Sequence, residues 1–194
     1  MKEKEKFVGF DTHEYRPIAR TKTLEILVDI IQKEKPKQVL EIGTFIGYSA
    51  SVMLETSLDI FVTTIEKDTQ NACDAKKNLS EQGYDGRFEV INCDAFDFLV
   101  NNCDKQFDLI FLDGPKGQYI KYLPYLKKML KTGAYLVCDD ILFYGLVRSN
   151  EFIPHKHRSL VVNLRKFLSE LEQDSSLDTK IYDLENGVSV SKKL

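Results

Sequence analysis

Five short apolar runs, QVLEI (38–42), IFVTTI (60–65), FEVIN (88–92), FDLIFL (107–112) and AYLVC (134–138), are set among longer stretches of helical periodicity. That alternation constrains the fold more than any other feature of the chain. Near-continuous apolarity is what a strand buried on both faces requires. Around the runs lie TKTLEILVDIIQKEK (21–35), with Leu24, Leu27, Val28 and Ile31 on one face, and a helix that follows Asp68 as N-cap through about Glu81. A further helix is expected from about Gln118 to Lys131, with Gly133 at its C-terminus. Strand, helix, strand in succession with short connections means βαβ crossovers and a parallel sheet.

The end of the chain changes style. After a polar helix near residues 156–173 comes KIYDLENGVSVSK, whose Asn186-Gly187 pair is a turn signal between two short alternating runs. The expectation is therefore an α/β fold: a doubly wound, Rossmann-like, seven-stranded and mostly parallel sheet with helices on both faces, closed by a C-terminal antiparallel hairpin. With 194 residues, no linker and no repeat, the chain is expected to form one domain over 1–194.

Composition narrows the function. The start, MKEKEK, is charged and lacks a following apolar stretch, so no secretory signal is expected. No apolar run approaches the roughly 20 residues that cross a bilayer. The expected setting is the cytoplasm, with no membrane partner. Cys73, Cys93, Cys103 and Cys138 form no C-x-x-C pair, and Cys93 and Cys138 read as small hydrophobes in or beside strands. Three histidines with no H-E-x-x-H offer no histidine-rich metal site. A net charge of −3 argues against a surface devoted wholly to nucleic acid. The segment from Arg148 to Lys166 nevertheless carries Arg148, Lys156, Arg158, Arg165 and Lys166 against only Glu151. It reads equally as a solvated helix face or as one that meets a polyanion.

In open α/β sheets, ligands bind beyond the carboxyl ends of the strands. Here each strand ends in polar or small residues. The first gives EIGTFIGYS (41–49), where Gly43 and Gly47 allow close backbone approach and Ser49 opens a helix. The second ends in Glu66, 23 residues after Gly43, where a carboxylate can accept two hydrogen bonds from a ribose diol. The third offers Asp94, the fourth Asp113, and the fifth Asp139 and Asp140. The glycine spacing is G-x-x-x-G rather than the G-x-G-x-x-G of a dinucleotide site, which disfavours a nicotinamide dehydrogenase. An anionic pyrophosphate is a poor guest for such an acidic rim. A cationic cofactor bearing a ribose, with a divalent metal, suits it better. Asp113, Asp139 and Asp140 form a hard-oxygen set of the kind that binds Mg²⁺, unless Asp139 or Asp140 merely caps a turn.

EIGTFIGYSA, TTIEKD, NCDAF, FDLIFLDGPKGQY and VCDDILFYGLV, in that order, resemble the class I S-adenosylmethionine (SAM)-dependent, metal-dependent O-methyltransferases, the group of the catechol and caffeoyl-CoA enzymes. KGQY (116–119), FYGLV (143–147), HKHRSLV (155–161) and NGVSVSKK resemble in particular the bacterial enzymes that methylate 5-hydroxyuridine at the tRNA wobble position. The resemblance spans from about Tyr15 to the end. It implies that Gly43 and Thr44 line the methionine part of SAM with Ser49 nearby, and that Glu66 holds the ribose hydroxyls. It further implies that Asp94 and Ala95 address the adenine, and that Ile18, within an N-terminal segment of about 20 residues, closes over the cofactor. Asp113, Asp139 and Asp140 would bind Mg²⁺ or Mn²⁺, with Asp113 also near the cofactor amine. Lys116 matches the general base of the catechol enzymes, a role that needs a pKa lowered by a neighbouring cation.

The sequence departs from the family pattern at two places. Asp140 stands where asparagine is usual, and Gly114-Pro115 replace the small residues after the fourth-strand aspartate. The resemblance implies a homodimer acting on a phenol-like hydroxyl. The acceptor is either a tRNA anticodon loop, with Tyr119, Tyr122, Phe143 and Tyr144 as candidate stacking partners, or a small phenol or catechol. At least half of those aromatics are expected in the core. A SAM-binding module without catalysis is the alternative from another class.

Overall fold

The computed structural model describes residues 19–150 and 152–194, so Ile18 and the rest of the expected cofactor-covering segment lie outside it, apart from Ala19 and Arg20. The chain divides into two compact units, one ending at Phe98 and one beginning at Leu99.

The first unit contains α1 (Thr21–Glu34), β1 (Gln38–Ile42), α2 (Tyr48–Thr56), β2 (Phe61–Glu66), α3 (Thr69–Glu81) and β3 (Phe88–Asn92), and α4 (Ala95–Asn101) runs across the division. Helix α1 buries Leu24, Leu27, Ile30 and Ile31, a stripe with three- and four-residue spacing, whereas Val28 is only half-buried. It stops where Lys35 turns left-handed at φ 52° and its amide donates to the Ile31 carbonyl. Asp68 caps α3 as expected, accepting from the Asn71 amide at 2.9 Å. Helix α2 is buried continuously from Tyr48 to Leu54, which is why it has no polar face.

Strands β1 and β2 pair in parallel, and β2 pairs in parallel with β3. The first two are sunk on both faces, but β3 is half-buried or exposed at every position. The expectation that FEVIN is covered on both faces is thus corrected: β3 is the outermost strand of its sheet. Its phenylalanine, valine and isoleucine serve β-propensity more than burial.

The second unit holds β4 (Phe107–Leu112), α5 (Tyr119–Met129), β5 (Leu130–Cys138), α6 (Arg158–Gln173), β6 (Leu177–Tyr182) and β7 (Val188–Lys193). Strands β4 and β5 are parallel, and β7 runs antiparallel to both β5 and β6. Helix α5 ends earlier than its pattern implied, and β5 starts at once with Leu130. Gly133 is therefore not a helix C-cap. Phe107 pairs with Leu130 but Leu109 with Tyr135, so β5 carries extra residues, and Gly133 at φ 81° absorbs the bulge. Burial of Leu130 between its neighbours draws the chain into the ladder before the glycine is reached.

Helix α6 buries Val161, Leu164, Phe167, Leu168 and Leu171, and Phe167 meets Tyr119 edge-to-face at 5.4 Å. Each such side chain contributes about 1.5–3 kcal/mol when fully buried. The hairpin is present, but Tyr182 pairs with Val188, so its loop is the five residues 183–187 rather than Asn186-Gly187 alone. The seven-stranded, mostly parallel sheet with flanking helices and antiparallel C-terminal strands is the fold expected from the sequence. Three of its strands come from the first unit, in the order β3-β2-β1, and four from the second, in the order β4-β5-β7-β6. Among the described residues no helix is long and apolar enough to cross a membrane.

Candidate active site

In the first unit, the loop from β1 to α2 turns through left-handed backbone at Gly43 (φ 99°), Phe45 (φ 49°) and Gly47 (φ 84°). A β-carbon on Gly47 would stand 3.3 Å from the Ala75 backbone on α3, so glycine serves both conformation and packing there. Glu66, at the end of β2, accepts the Phe45 amide on Oε2 and the Asp68 amide on Oε1, each at 2.8 Å. It is not a helix cap, because Asp68 fills that role. Its carboxylate fixes the glycine loop, and each oxygen retains a further lone pair for hydroxyl donors.

Thr44 and Ser49 are buried rather than lining open space through their hydroxyls. Ser49 Oγ donates to Glu41 Oε1 and Thr64 Oγ1 donates to Glu41 Oε2, both at 2.5 Å. Because Thr64 spends its hydrogen on Glu41, Thr44 is the donor in the 2.5 Å contact between the two threonines. Glu41 is fully buried in β1, and its carboxylate organises the loop from beneath. Neither Glu41 nor Thr64 was singled out by sequence reasoning. The available signal was a glutamate inside the otherwise apolar run QVLEI.

Asp94 caps α4 by accepting the Phe96 amide at 2.8 Å, and pairs with Lys67 at 2.9 Å. The Lys67 hydrogen bond, helped by that amide, holds the Asp94 carboxyl below the ordinary aspartate value. Ala95 opens the helix beside it and is buried. Asn92, also unforeseen, ties the strand ends by donating to the carbonyls of Glu66 and Lys67 at 2.9 and 3.0 Å.

In the second unit, Asp113 leaves β4 and Asp139-Asp140 leave the neighbouring β5. The Tyr119 hydroxyl binds these ends together, donating toward the carbonyls of Leu112 at 3.0 Å and Asp139 at 3.3 Å. Burial pushes its phenol well above the ordinary tyrosine value. Tyr119 and Tyr122 are thus core residues, while Tyr144 is 63% exposed and Phe143 half-buried.

Lys116 begins a short 3₁₀ turn after Pro115 and donates to Asp113 Oδ1 at 2.5 Å, with Asp140 Oδ2 3.8 Å away. Burial works against its charge, but Asp113, with Asp140 and Asp139, outweighs that penalty and holds the amine above the ordinary lysine range. The lowered pKa expected for a general base is reversed in this arrangement, because carboxylates face the ammonium.

Three carboxylates with no sulfur or imidazole suit a hard divalent ion by chemistry. Among the described residues, however, no three histidine, cysteine, aspartate or glutamate side chains are gathered closely enough to grip a metal as they stand. The Lys116 ammonium is the cation bridging Asp113 and Asp140 here.

The basic segment separates into different roles. Arg165 gives its guanidinium to the carbonyls of Val147, Leu146 and Ser149, at 2.8, 3.2 and 2.5 Å. Arg148 pairs with Asp183 at 3.2 Å. Lys156, Arg158 and Lys166 are exposed.

Fold and strand-end chemistry together define an α/β methyltransferase. The O-methyltransferase family model matches residues 13–194. A caffeoyl-CoA O-methyltransferase from Populus kitakamiensis is 26% identical over 185 residues, covering 92% of this chain and 77% of that protein. A catechol O-methyltransferase from Niastella koreensis is 26% identical over 167 residues, covering 84% and 72%. Among solved structures, a Staphylococcus aureus protein of the caffeoyl-CoA O-methyltransferase type superposes with a TM-score of 0.85 at 29% identity, covering 92% of this chain and 86% of that one. The chain belongs to the O-methyltransferase family and is a SAM-dependent O-methyltransferase.

Proposed function

We propose that the acceptor is a phenol-like hydroxyl, that of 5-hydroxyuridine in a tRNA anticodon loop, and that Asp113, Asp139 and Asp140 hold a divalent ion, Mg²⁺ or Mn²⁺, for the reaction. The observation that carries the ion is the all-carboxylate donor set at the ends of two adjacent strands. The RNA acceptor is supported by the exposed cations Lys156 and Arg158 beside a chain of rings, Tyr144 to Phe143 at 5.2 Å and Phe143 to His157 at 5.3 Å. A splayed base stacks on such a surface, and phosphates meet such charges.

Bound SAM supplies a methyl group made electrophilic by its sulfonium. The acceptor O–H bond and the carbon–sulfur bond break and a carbon–oxygen bond forms, leaving a methyl ether, the thioether form of the cofactor and a proton. Glu66 accepts the ribose hydroxyls while its amide bonds keep the glycine loop in place. Thr44 and Ser49, held by Glu41, give the methionine end a rigid backbone wall. A divalent ion at the three aspartates would stabilise the ionised acceptor oxygen. Lys116 can take the acceptor proton only after leaving Asp113, since that carboxylate raises its pKa. Orientation of oxygen against methyl supplies much of the remaining rate.

A small catechol or phenol is the second reading, favoured by what the Populus and Niastella relatives are named for. A cytoplasmic homodimer completes the proposal. The four free cysteines suit a reducing compartment, and the dimer rests on the family resemblance alone. The deciding experiment incubates the enzyme with labelled SAM and Mg²⁺ on bulk tRNA carrying unmethylated 5-hydroxyuridine, and separately on a catechol. Label in tRNA supports the first acceptor, and label only in the catechol rejects it.

A further inference from the structure

The loop after Asp139-Asp140 has neither helix nor strand, yet its shape is strongly determined. Four of its residues are left-handed: Asp140 (φ 56°), Phe143 (φ 41°), Tyr144 (φ 56°) and Gly145 (φ 78°). Three of these carry side chains, a backbone arrangement that persists only where surrounding contacts hold it. The base of the loop is anchored on the hairpin turn, with the Ile141 amide donating to Gly187 at 3.1 Å and the Leu142 amide to Asn186 at 2.7 Å. Its return limb has no strand to pair with. There the carbonyls of Leu146, Val147 and Ser149 converge on one guanidinium, that of Arg165 on α6. The amides of that limb, from Leu146 to Ser149, turn back onto the carbonyls of Phe143, Leu142 and Gly145, while its carbonyls are gathered by this one side chain. From the same helix, Asn163 donates to the Gly117 carbonyl at 2.9 Å, within the turn that begins at Lys116.

We propose that Arg165 is a positioning residue for the acceptor: its guanidinium fixes the loop that leads out of Asp139-Asp140, and through Phe143 and Tyr144 that loop decides which acceptor is taken. The proposal rests on the methyl-transfer reading. A planar fork spreads its donors over two nitrogens to reach the carbonyls of Leu146, Val147 and Ser149, so lysine, whose three donors share one nitrogen, is a poorer replacement. It also gives Arg165 a role that neither reading of the basic segment, solvated face or polyanion contact, foresaw, because three backbone carbonyls engage its guanidinium. Without the clamp these carbonyls must turn to water. The left-handed residues then relax, and the Phe143–Tyr144–His157 rings separate. The cofactor residues Glu66, Thr44 and Ser49 belong to the other unit and keep their contacts.

The test uses Arg165→Ala and Arg165→Lys in the full chain. It reads SAM affinity by calorimetry, amide exchange over residues 141–149, and kcat and KM on both tRNA and a catechol. In Arg165→Ala, SAM affinity is unchanged, loop exchange is faster, and the catechol KM rises about tenfold or more with a smaller change in kcat. Arg165→Lys falls between, and added methylguanidinium recovers part of the alanine variant's KM, which a general loss of folding would not allow. An unchanged catechol KM and unchanged exchange, beside an active parent, overturn the clamp. Weaker tRNA binding with a smaller salt slope but a normal catechol KM also overturns it, since Arg165 is then a phosphate contact. A parent that binds SAM yet methylates neither acceptor overturns the acceptor reading and this proposal together.

Discussion

The Phe45 amide donates to the Glu66 carboxylate at 2.8 Å, joining the left-handed loop after β1 to the last residue of β2. The contact shapes the glycine loop, and the ribose role proposed for Glu66 would fall on the same side chain. Glu66→Ala is expected to weaken SAM by about 10–100-fold, the worth of one or two hydrogen bonds to a charged group. Glu66→Gln keeps one acceptor oxygen and is expected to lose less. Calorimetry decides, and unchanged SAM affinity in Glu66→Ala removes the ribose assignment.

How much of this was legible follows from which contacts are local. Glu66, Asp113 and Asp139 stand out because each ends an apolar run, and a strand end is a local pattern. Asp68 as N-cap is local too. Glu41 is different. Its partners Ser49 and Thr64 lie 8 and 23 residues away, so the sequence shows a charged residue in a strand but not what satisfies it. FEVIN has the composition of a central strand, and only the strand order exposes it. Gly133 stands where a helix C-cap should, and the bulge it makes depends on β4 across the ladder. The base's role expected of Lys116 rests on its position after Asp113, but its second charge partner, Asp140, is distant in the chain and invisible to that pattern. The clamp by Arg165 spans 16 to 19 residues and leaves no periodic trace.

Catalysis is expected to require a divalent ion. A chelator should abolish turnover, with Mg²⁺ or Mn²⁺ restoring it, because the three aspartates offer only hard oxygens. Lys116→Met should tighten Mn²⁺ binding by about tenfold, since the ammonium competes for the oxygens of Asp113 and Asp140, while kcat falls. Full activity in excess chelator, with the metal content of the protein measured as zero, rejects the ion.

Gly187 sits at φ 85°, and a β-carbon there would lie 2.2 Å from Leu142 Cγ. Leu142 is itself buried at the base of the loop after Asp140. Gly187→Ala should cost about 2–3 kcal/mol through backbone strain and overpacking. Urea unfolding of the variant measures it, and a loss below about 0.5 kcal/mol shows that the turn can shift without harm.

Asp174, just past α6, is held at a pKa of about 2, chiefly by a hydrogen bond from Lys127 of α5, with further bonds from Ser176. The folded value lies below the ordinary aspartate value of 3.8, so the contribution to stability is present above about pH 4 and is lost as pH falls toward 2. It should amount to about 1–2 kcal/mol after allowance for partial exposure. Asp174→Asn should lower stability at pH 7 by that amount and flatten the decline between pH 4 and 2. Parallel acid profiles for the two proteins contradict the assignment.

The cations around the start of α6 separate the two proposed acceptors by experiment. Lys156, Arg158 and Lys166 are exposed and pair with no acidic side chain among the described residues, unlike Arg148, and the first two flank His157, whose ring meets Phe143. If they meet a tRNA backbone, affinity should fall steeply with added salt as counterions are released. Replacing both by glutamine should reduce the salt slope by roughly one unit for each phosphate that goes unneutralised. SAM affinity should stay the same, because neither Lys156 nor Arg158 is among the residues assigned to the cofactor. A catechol carries no phosphate for these cations to meet, so it should be methylated equally by variant and parent. Arg165→Ala gives the opposite pattern, with the catechol affected, so the two variants separate phosphate binding from loop positioning. Loss on tRNA alone supports the wobble-uridine acceptor. Equal tRNA activity with an unchanged salt slope takes Lys156 and Arg158 off the RNA surface and leaves the small phenol as the acceptor.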